Sequence, residues 1–390
     1  MPKAPPHDQP IIVAGAGPGG LVAALALHRA GFAVRLLERA PAVRAAGAGL
    51  TLQVNAMRML GALDLLEPVA SQGELLAAAT VQTGDGRALS EIHMEDSRAR
   101  FGAPGVAIHR GVLSQVLADA LPEGILRCGA EVHAVAQDQQ GVTVTLAGGE
   151  ELRGSALVGA DGIHSRVRAG SFPDARIRYA GYTCWRGIAP IARPLGAGTS
   201  AELWGRGRRF GIVPISATET YWFATENTVA DGSDGDDVKA EMLARFSAFA
   251  DPVAKLLDAT PADAFLRNDI IDLQPLDRWT DGRVALMGDA AHAMTPNMGQ
   301  GACQAIEDAV VLAHALADAS SIPEGIAEFE SLRKVRARSF VDRSWTVGRA
   351  AQWENGLARA LRNAIVRMTP SSVMEKTLTE AWMVDVPRLG

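Results

Sequence analysis

The sequence predicts an α/β fold: a parallel sheet with a small β-meander attached, an antiparallel sheet inserted into it, and helices at the C-terminal end. Three observations support this. Ile11-Ile12-Val13-Ala14 and Ala33 to Leu37 are apolar runs of buried-strand length that flank a glycine turn and a helical stretch. Ala156 to Ala160 and Val284 to Met287 are two more such runs, each followed by Asp beside Gly. Residues 176–226 instead set aromatic and β-branched runs between turns, as antiparallel strands do.

The first strand leads straight into Gly15-Ala16-Gly17-Pro18-Gly19-Gly20 and a helix reaching about Ala30, with Gly31 as its stop. Gly15, Gly17 and Gly20 fill the spacing G-x-G-x-x-G. The first permits a tight turn, the second lets a pyrophosphate approach the backbone, and the third packs helix against strand. Glu38 ends the next strand about twenty residues on, where a carboxylate can accept from a ribose hydroxyl pair. Alone the glycines would be a weak signal; between two strands and with this acid they predict a Rossmann-like adenine dinucleotide site. The motif does not choose between NAD and FAD.

Arg39 and Arg44 follow, then the flexible Gly47-Ala48-Gly49-Leu50. Ala56 to Leu66 reads as helix, and residues 79–109 as mixed, with a strand-like Ala79-Thr80-Val81 and a turn at Gly84-Asp85-Gly86. A further helix begins at His109-Arg110-Gly111 with Leu113, Val116, Leu117 and Leu121 on one face. Arg110 suits a phosphate or flavin contact and equally a plain surface position. From Ile125 to Val158, short alternating runs at Glu131–Val135 and Gly141–Leu146 form the meander. The strand at Ala156 then closes on Asp161-Gly162, with Ser165 and Arg168 beyond.

Four strand candidates follow: Tyr182 to Ile188, Ala201 to Trp204, Arg209 to Val213 and Thr220 to Ala224. Their region holds all three tyrosines in a chain with only 5% aromatic residues, which suggests core packing and also a flat apolar substrate wall. A helix near Val238–Phe249 presents Val238, Met242, Phe246 and Phe249 as a core stripe. The stretch from Arg283 to Asp308 is the densest in signals: a buried strand, Gly288-Asp289, a turn at Pro296, and Gly299-Gln300-Gly301 opening a helix from about Ala302 to Leu316. A carboxylate at a strand end accepts from a polyol, and a glycine-opened helix N-terminus favours an electron-rich group. Beyond Asp308 the chain reads as helical to about Met368. Residues 331–368 carry nine Lys or Arg, which reads as a solvated face or, with Leu357, Leu361, Ile365 and Val366, as a weak membrane-surface contact.

The totals exclude several classes. With 38 basic and 44 acidic residues among 390, the formal charge of −6 argues against a nucleic-acid partner. Cys128, Cys184 and Cys303 are widely spaced and offer neither a metal site nor a disulfide framework. No apolar run approaches the roughly 20 residues of a membrane span, and Met1–Pro10 is unlike a signal peptide, so a cytoplasmic setting is expected. Oligomeric state is not readable.

Taken together, the three motifs resemble the single-component FAD-dependent monooxygenases of the aromatic hydroxylase type, related to para-hydroxybenzoate and salicylate hydroxylases. The resemblance runs from about Ile11 to His314. It rests on Gly15-x-Gly17-x-x-Gly20 with Glu38, on Gly159-Ala160-Asp161-Gly162-x-x-Ser165-x-x-Arg168, and on Gly288-Asp289-Ala290-Ala291-His292 with Pro296 and Gly299-Gln300-Gly301. It implies that Gly15, Gly17, Gly20, Glu38 and Arg39 hold the ADP half of FAD, with Arg44 and Arg110 as further contacts. Asp161 would serve FAD and a transient NADPH or NADH, Asp289 the ribityl or pyrophosphate side, and Pro296 with Gly299 to Ala302 the ring. It further implies that NAD(P)H reduces the flavin, whose hydroperoxide with O2 then hydroxylates or epoxidises an aromatic or polyene-like small molecule. Residues 1–80, 100–175 and 270–330 would form the FAD-binding domain, 81–99 and 176–269 the substrate sheet, and 331–390 a helical segment. Ala293, where many aromatic hydroxylases have Pro, brings the 293–301 loop nearer the zeaxanthin epoxidase and urate hydroxylase branches. Candidate substrate-activating groups are Arg186, Tyr182, Tyr221 and His292, the arginine to hold a phenolate or carboxylate. A reductase, a halogenase (against which the absence of W-x-W-x-I-P counts) or a flavin protein without turnover remain open on the motifs alone.

Overall fold

The computed structural model describes residues 9–43 and 47–387. Among these, six strands form one sheet in the order Thr280–Asp281, Val284–Leu286, Ala156–Gly159, Ile11–Ala14, Val34–Glu38, Leu126–Cys128. All neighbours pair in parallel except the edge strand Thr280–Asp281. Ile11–Ala14, Ala156–Gly159 and Val284–Leu286 are buried at every position, as strands covered on both faces must be, hence their unbroken apolar runs. Helix Pro18–Arg29 packs against helix Gly301–Asp318 over this core. The meander Val132–Gln137, Val142–Leu146, Glu151–Gly154 adds Val142, Val144 and Leu146 to the same core. Because the three central strands are parallel neighbours, Gly15, Asp161 and Asp289 emerge together at their C-terminal ends, where open α/β sheets bind ligands.

A second, seven-stranded sheet runs Leu266–Leu273, Ile177–Ala189, Thr220–Asn227, Arg208–Pro214, Thr199–Trp204, Ala78–Thr83, Ala88–His93. Its strands alternate between two faces. The outer face, with Trp185, Phe210, Ile212, Trp222 and Ala224, packs on helices Val238–Phe246 and Val253–Ala259 through Met242, Phe246, Val253, Leu256 and Leu257. Fully burying each such side chain contributes roughly 1.5–3 kcal/mol. The inner face carries Tyr182, Cys184, Arg186, Tyr221, Phe223 and Arg209, by the register that pairs Arg186 with Phe223 and Gly211 with Phe223.

Several local expectations change. The helix expected over 56–66 is two, Val54–Gly61 and Leu66–Ala70, interrupted where Asp64 takes a positive φ of 52°. The inserted sheet begins at Ala78 and includes the strand Leu266–Leu273, which the alternation at 176–226 did not reveal. The long C-terminal helical stretch divides into Ile322–Ala351, Gly356–Met368 and Ser371–Trp382. Ser321 and Asn355 accept from the first free backbone amides of the first two, so both of these helices have capped starts.

Candidate active site

The glycine turn has the shape its spacing demands. Gly15 has a φ of 100°, and a Cβ there would lie 2.5 Å from the Ala160 carbonyl oxygen; one on Gly20 would lie 1.8 Å from that of Gly15. A Cβ on Gly17 would meet nothing within 4 Å, leaving the helix N-terminus open to a phosphate. Glu38 holds the turn from the next strand: its carboxylate accepts from Ala16 N (2.8 Å) and Ala40 N (2.9 Å). Asp161 accepts from Arg166 N and Val167 N through Oδ2, while its buried Oδ1 has no hydrogen-bond partner. That oxygen is an acceptor left for a ligand hydroxyl or amide. The open cradle at Gly17, the orphaned acceptor and the acid on the neighbouring strand fit an adenine dinucleotide. Arg39 and Arg110 are exposed at its margin, and the Arg110 side chain lies against Gly47. Arg44 lies outside the described residues.

Asp289 stands at the mouth of the third strand. The residue is exposed, yet desolvation by neighbouring atoms pushes its carboxyl up, against the pull of His292, Arg110 and Arg168. Arg168 is buried and donates to the Ala290 carbonyl (3.0 Å) and to that of Ile163, tying the second motif to the third. The turn itself is held from beneath. Asp308 Oδ2 accepts from Gly288 N (2.9 Å) and meets His292 Nε2 at 2.6 Å, while Oδ1 accepts from Arg333 Nε (2.8 Å). Arg333 also donates to Glu307 (2.5 Å) and Gln304 (2.6 Å), and Arg336 donates to Glu307. Burial alone would raise the Asp308 carboxyl, but His292 and Arg333 bring it down to about 2.

Helix Gly301–Asp318 begins beside Gly299, whose φ is 62°. Gln300 is buried and donates to Gln53 Oε1 (2.7 Å), accepting in turn from Asn55 and Gln304. Gln300 therefore shapes the loop, and contact with a ring would come from the backbone. Pro296 is exposed, and Gly301 and Ala302 form the first turn of the helix. Cys303 is buried behind them, which pushes its thiol up to about 12, and all three cysteines are free.

The candidate substrate-activating groups separate. Tyr221 and Arg186 are diagonal neighbours on one face of adjacent strands, and Arg186 donates to Asn268 Oδ1 at 3.1 Å. Tyr221 packs directly over Gly49, where a Cβ would come within 2.5 Å of it. Phe223 lies flat on the sheet because Gly211 has no side chain; a Cβ there would sit 1.9 Å from the ring. Burial pushes the Tyr221 hydroxyl above the usual phenol range despite Arg186, so it is a donor and not a base. Tyr182 belongs to a different cluster. It is buried, and its hydroxyl exchanges hydrogen bonds with Asn297 (3.0 and 3.2 Å). His292 is buried on Asp308 and against the Trp279 ring, with centroids 4.9 Å apart, so it braces the Asp289 turn instead of reaching substrate.

Asn297, Arg209 and Gln352, which join the loop to the inserted sheet, are not among the site residues expected from the sequence. Arg209 donates to Asn297 (2.8 Å), Gln352 (2.9 Å) and Glu202 (2.9 Å), and Asn297 also donates to Thr295 and to the Ser344 carbonyl. The only sequence cue was Arg209 within an apolar strand. No group of His, Cys, Asp or Glu able to hold a metal occurs among the described residues.

Comparison with known proteins agrees with this geometry. The family model described as FAD binding domain matches residues 8–344. Aurachin C monooxygenase/isomerase of Stigmatella aurantiaca is 42% identical over 361 residues, covering 93% of this chain and 94% of the relative. The 2-heptyl-3-hydroxy-4(1H)-quinolone synthase of Pseudomonas aeruginosa is 35% identical over 368 residues, with 93% and 94% covered. The crystal structure of Klebsiella pneumoniae HpxO complexed with FAD and uric acid matches at a TM-score of 0.89 and 27% identity, with 96% of each chain covered. The likeness extends along nearly the whole length, and the chain belongs to the FAD-dependent flavoprotein monooxygenases of the aromatic hydroxylase type.

Proposed function

We propose that this monooxygenase uses NAD(P)H and O2 to hydroxylate the ring of a planar nitrogen heteroaromatic of the 2-alkyl-4-quinolone class. The observation that carries the reading is the Arg186–Tyr221 pair beside Phe223 on Gly211: a flat apolar floor with two donors at one edge. The quinolone in the name of the Pseudomonas aeruginosa relative, which aligns end to end, supports it. Gly15, Gly17, Gly20, Glu38, Asp161 and Asp289 would hold FAD, and when bound it supplies the redox chemistry, taking a hydride and activating O2. The chain's own residues do the rest. Phe223 stacks the ring, and Tyr221 and Arg186 donate to its carbonyl oxygen. Holding negative charge on that oxygen favours the ring's deprotonated form and raises electron density at the carbon between the carbonyl and the alkyl-bearing carbon. The backbone amides at the start of helix Gly301–Asp318 favour negative charge on the cofactor side. The reading includes a cytoplasmic setting with weak contact to a membrane surface. No helix among the described residues is long and apolar enough to cross a membrane.

The test is substrate-stimulated NAD(P)H oxidation across 2-alkyl-4-quinolones, phenols and carotenoid-like polyenes, with 18O2 and mass spectrometry of the product. A quinolone should accelerate oxidation and gain one 18O atom. Arg186→Met should lower kcat/KM on the order of 10²-fold while the flavin stays bound. Stimulation by phenols or polyenes alone, or an Arg186→Met enzyme with undiminished turnover, would overturn the substrate assignment.

A further inference from the structure

Helix Gly356–Met368 is built inside out. Its apolar residues Leu357, Leu361, Ile365 and Met368 recur at helical spacing and form one stripe. In a surface helix such a stripe faces the core, but here these residues are 84%, 59%, 53% and 71% exposed. The side turned inward carries an arginine: Arg362 is buried, donates to the Ala351 carbonyl at 2.8 Å and lies over the Trp204 ring at 4.9 Å. Val366 packs beside it against Leu89, Trp204 and Ala351. The stripe is therefore not a frayed core face, because the helix is anchored by its opposite side. Trp353 and Val373, beyond its two ends in sequence, are exposed as well. Single exposed apolar residues are ordinary, whereas an aligned set marks an interaction surface.

Charge identifies the partner. Besides the inward Arg362, helix Gly356–Met368 carries the half-buried Arg359 and the exposed Arg367 and no acidic residue, in a chain of net charge −6. A second copy presenting the same stripe would bring arginines against arginines, which like-charge repulsion disfavours. A basic helix with an outward apolar stripe suits an anionic interface instead. We propose that helix Gly356–Met368 docks on an anionic phospholipid bilayer, lying in its plane with Leu357, Leu361, Ile365 and Met368 at the acyl boundary. This deepens the membrane-contact part of the proposed function and rests on no assumption about the quinolone.

The experiment is flotation of the FAD-loaded enzyme, without substrate, with vesicles of phosphatidylcholine alone or mixed with phosphatidylglycerol. The enzyme should float with the mixed vesicles and not with phosphatidylcholine. The double variant Leu361→Glu/Ile365→Glu should bind at least about tenfold more weakly, and Arg367→Gln about fivefold. These positions are exposed, so bound-flavin absorbance and Tm should stay at the parent values. Three results would overturn the proposal: no flotation with phosphatidylglycerol, undiminished flotation of the double variant, or a solution dimer that the double variant dissociates while vesicles are ignored. None of these would alter the quinolone assay, so the two readings fail separately.

Discussion

Two glycines decide how closely two aromatic side chains of the seven-stranded sheet approach the backbone beneath them. Gly49 admits the Tyr221 side chain and Gly211 admits the Phe223 ring, in each case by lacking a Cβ. Gly211→Ala must lift Phe223 off the sheet, because the new carbon would fall well inside van der Waals contact. We expect it to destabilise the protein by about 1–3 kcal/mol and to raise KM for the aromatic substrate, with bound flavin unchanged. Thermal unfolding and steady-state kinetics would check this; an unaltered KM would show that Phe223 is not the floor. Arg186 and Tyr221 were recognisable as chemistry-bearing residues, but the separation of Tyr182 and His292 from them was not. Their partners, Asn297 and Asp308, lie 115 and 16 residues away, and residue type alone does not reveal which hydroxyl or imidazole is already engaged.

Among elements, the loop 288–301 is held from two sides, by the Asp308–Arg333–Glu307 network below and by Asn297 on the sheet and helix Ile322–Ala351 above. The network sets the acid sensitivity of the fold. The folded Asp308 carboxyl lies at about 2, below its ordinary value of 3.8, so its contribution is complete above the ordinary carboxylate range and is lost as pH falls towards 2. Asp308→Asn should lower stability near pH 7 by about 3 kcal/mol, since it leaves Arg333 short of a charged partner. Urea unfolding should show that deficit shrinking by about 2 kcal/mol between about pH 4 and about pH 2. A deficit independent of pH would mean that Asp308 ionises in its usual range. The basic run that contains Arg333 and Arg336 suggested a solvated face, and for these two the structure replaces that with interior ion pairs. Sequence periodicity finds a stripe; it does not say whether the side chains opposite have partners waiting in the core.

At the scale of the whole molecule, what the sequence disclosed is what is local. Strand, glycine turn and terminal acid are written within about twenty residues of one another, and all three such units are found side by side in one sheet. The inserted sheet was legible as alternation, whereas its strand Leu266–Leu273 and its contacts with the first domain were not. Those contacts pair residues such as Arg209 with Asn297 and Gln352, which only the finished topology brings together.

The underpinning of the Gly288–Asp289 turn also has a consequence in time. Asp308 and Glu307 are neutralised by Arg333 and Arg336, and Arg336 in turn donates to the Ala381 carbonyl while Trp382 donates to Gln53. A nascent chain emerging from the ribosome therefore presents its glycine turn first and a braced Gly288–Asp289 turn only after helices Ile322–Ala351 and Ser371–Trp382 have left the exit tunnel. Cofactor capture should be a late event of biosynthesis. Ribosome-bound chains arrested before residue 330 should bind no FAD, and chains released from the ribosome with residue 387 in place should acquire flavin fluorescence quenching and protease resistance together.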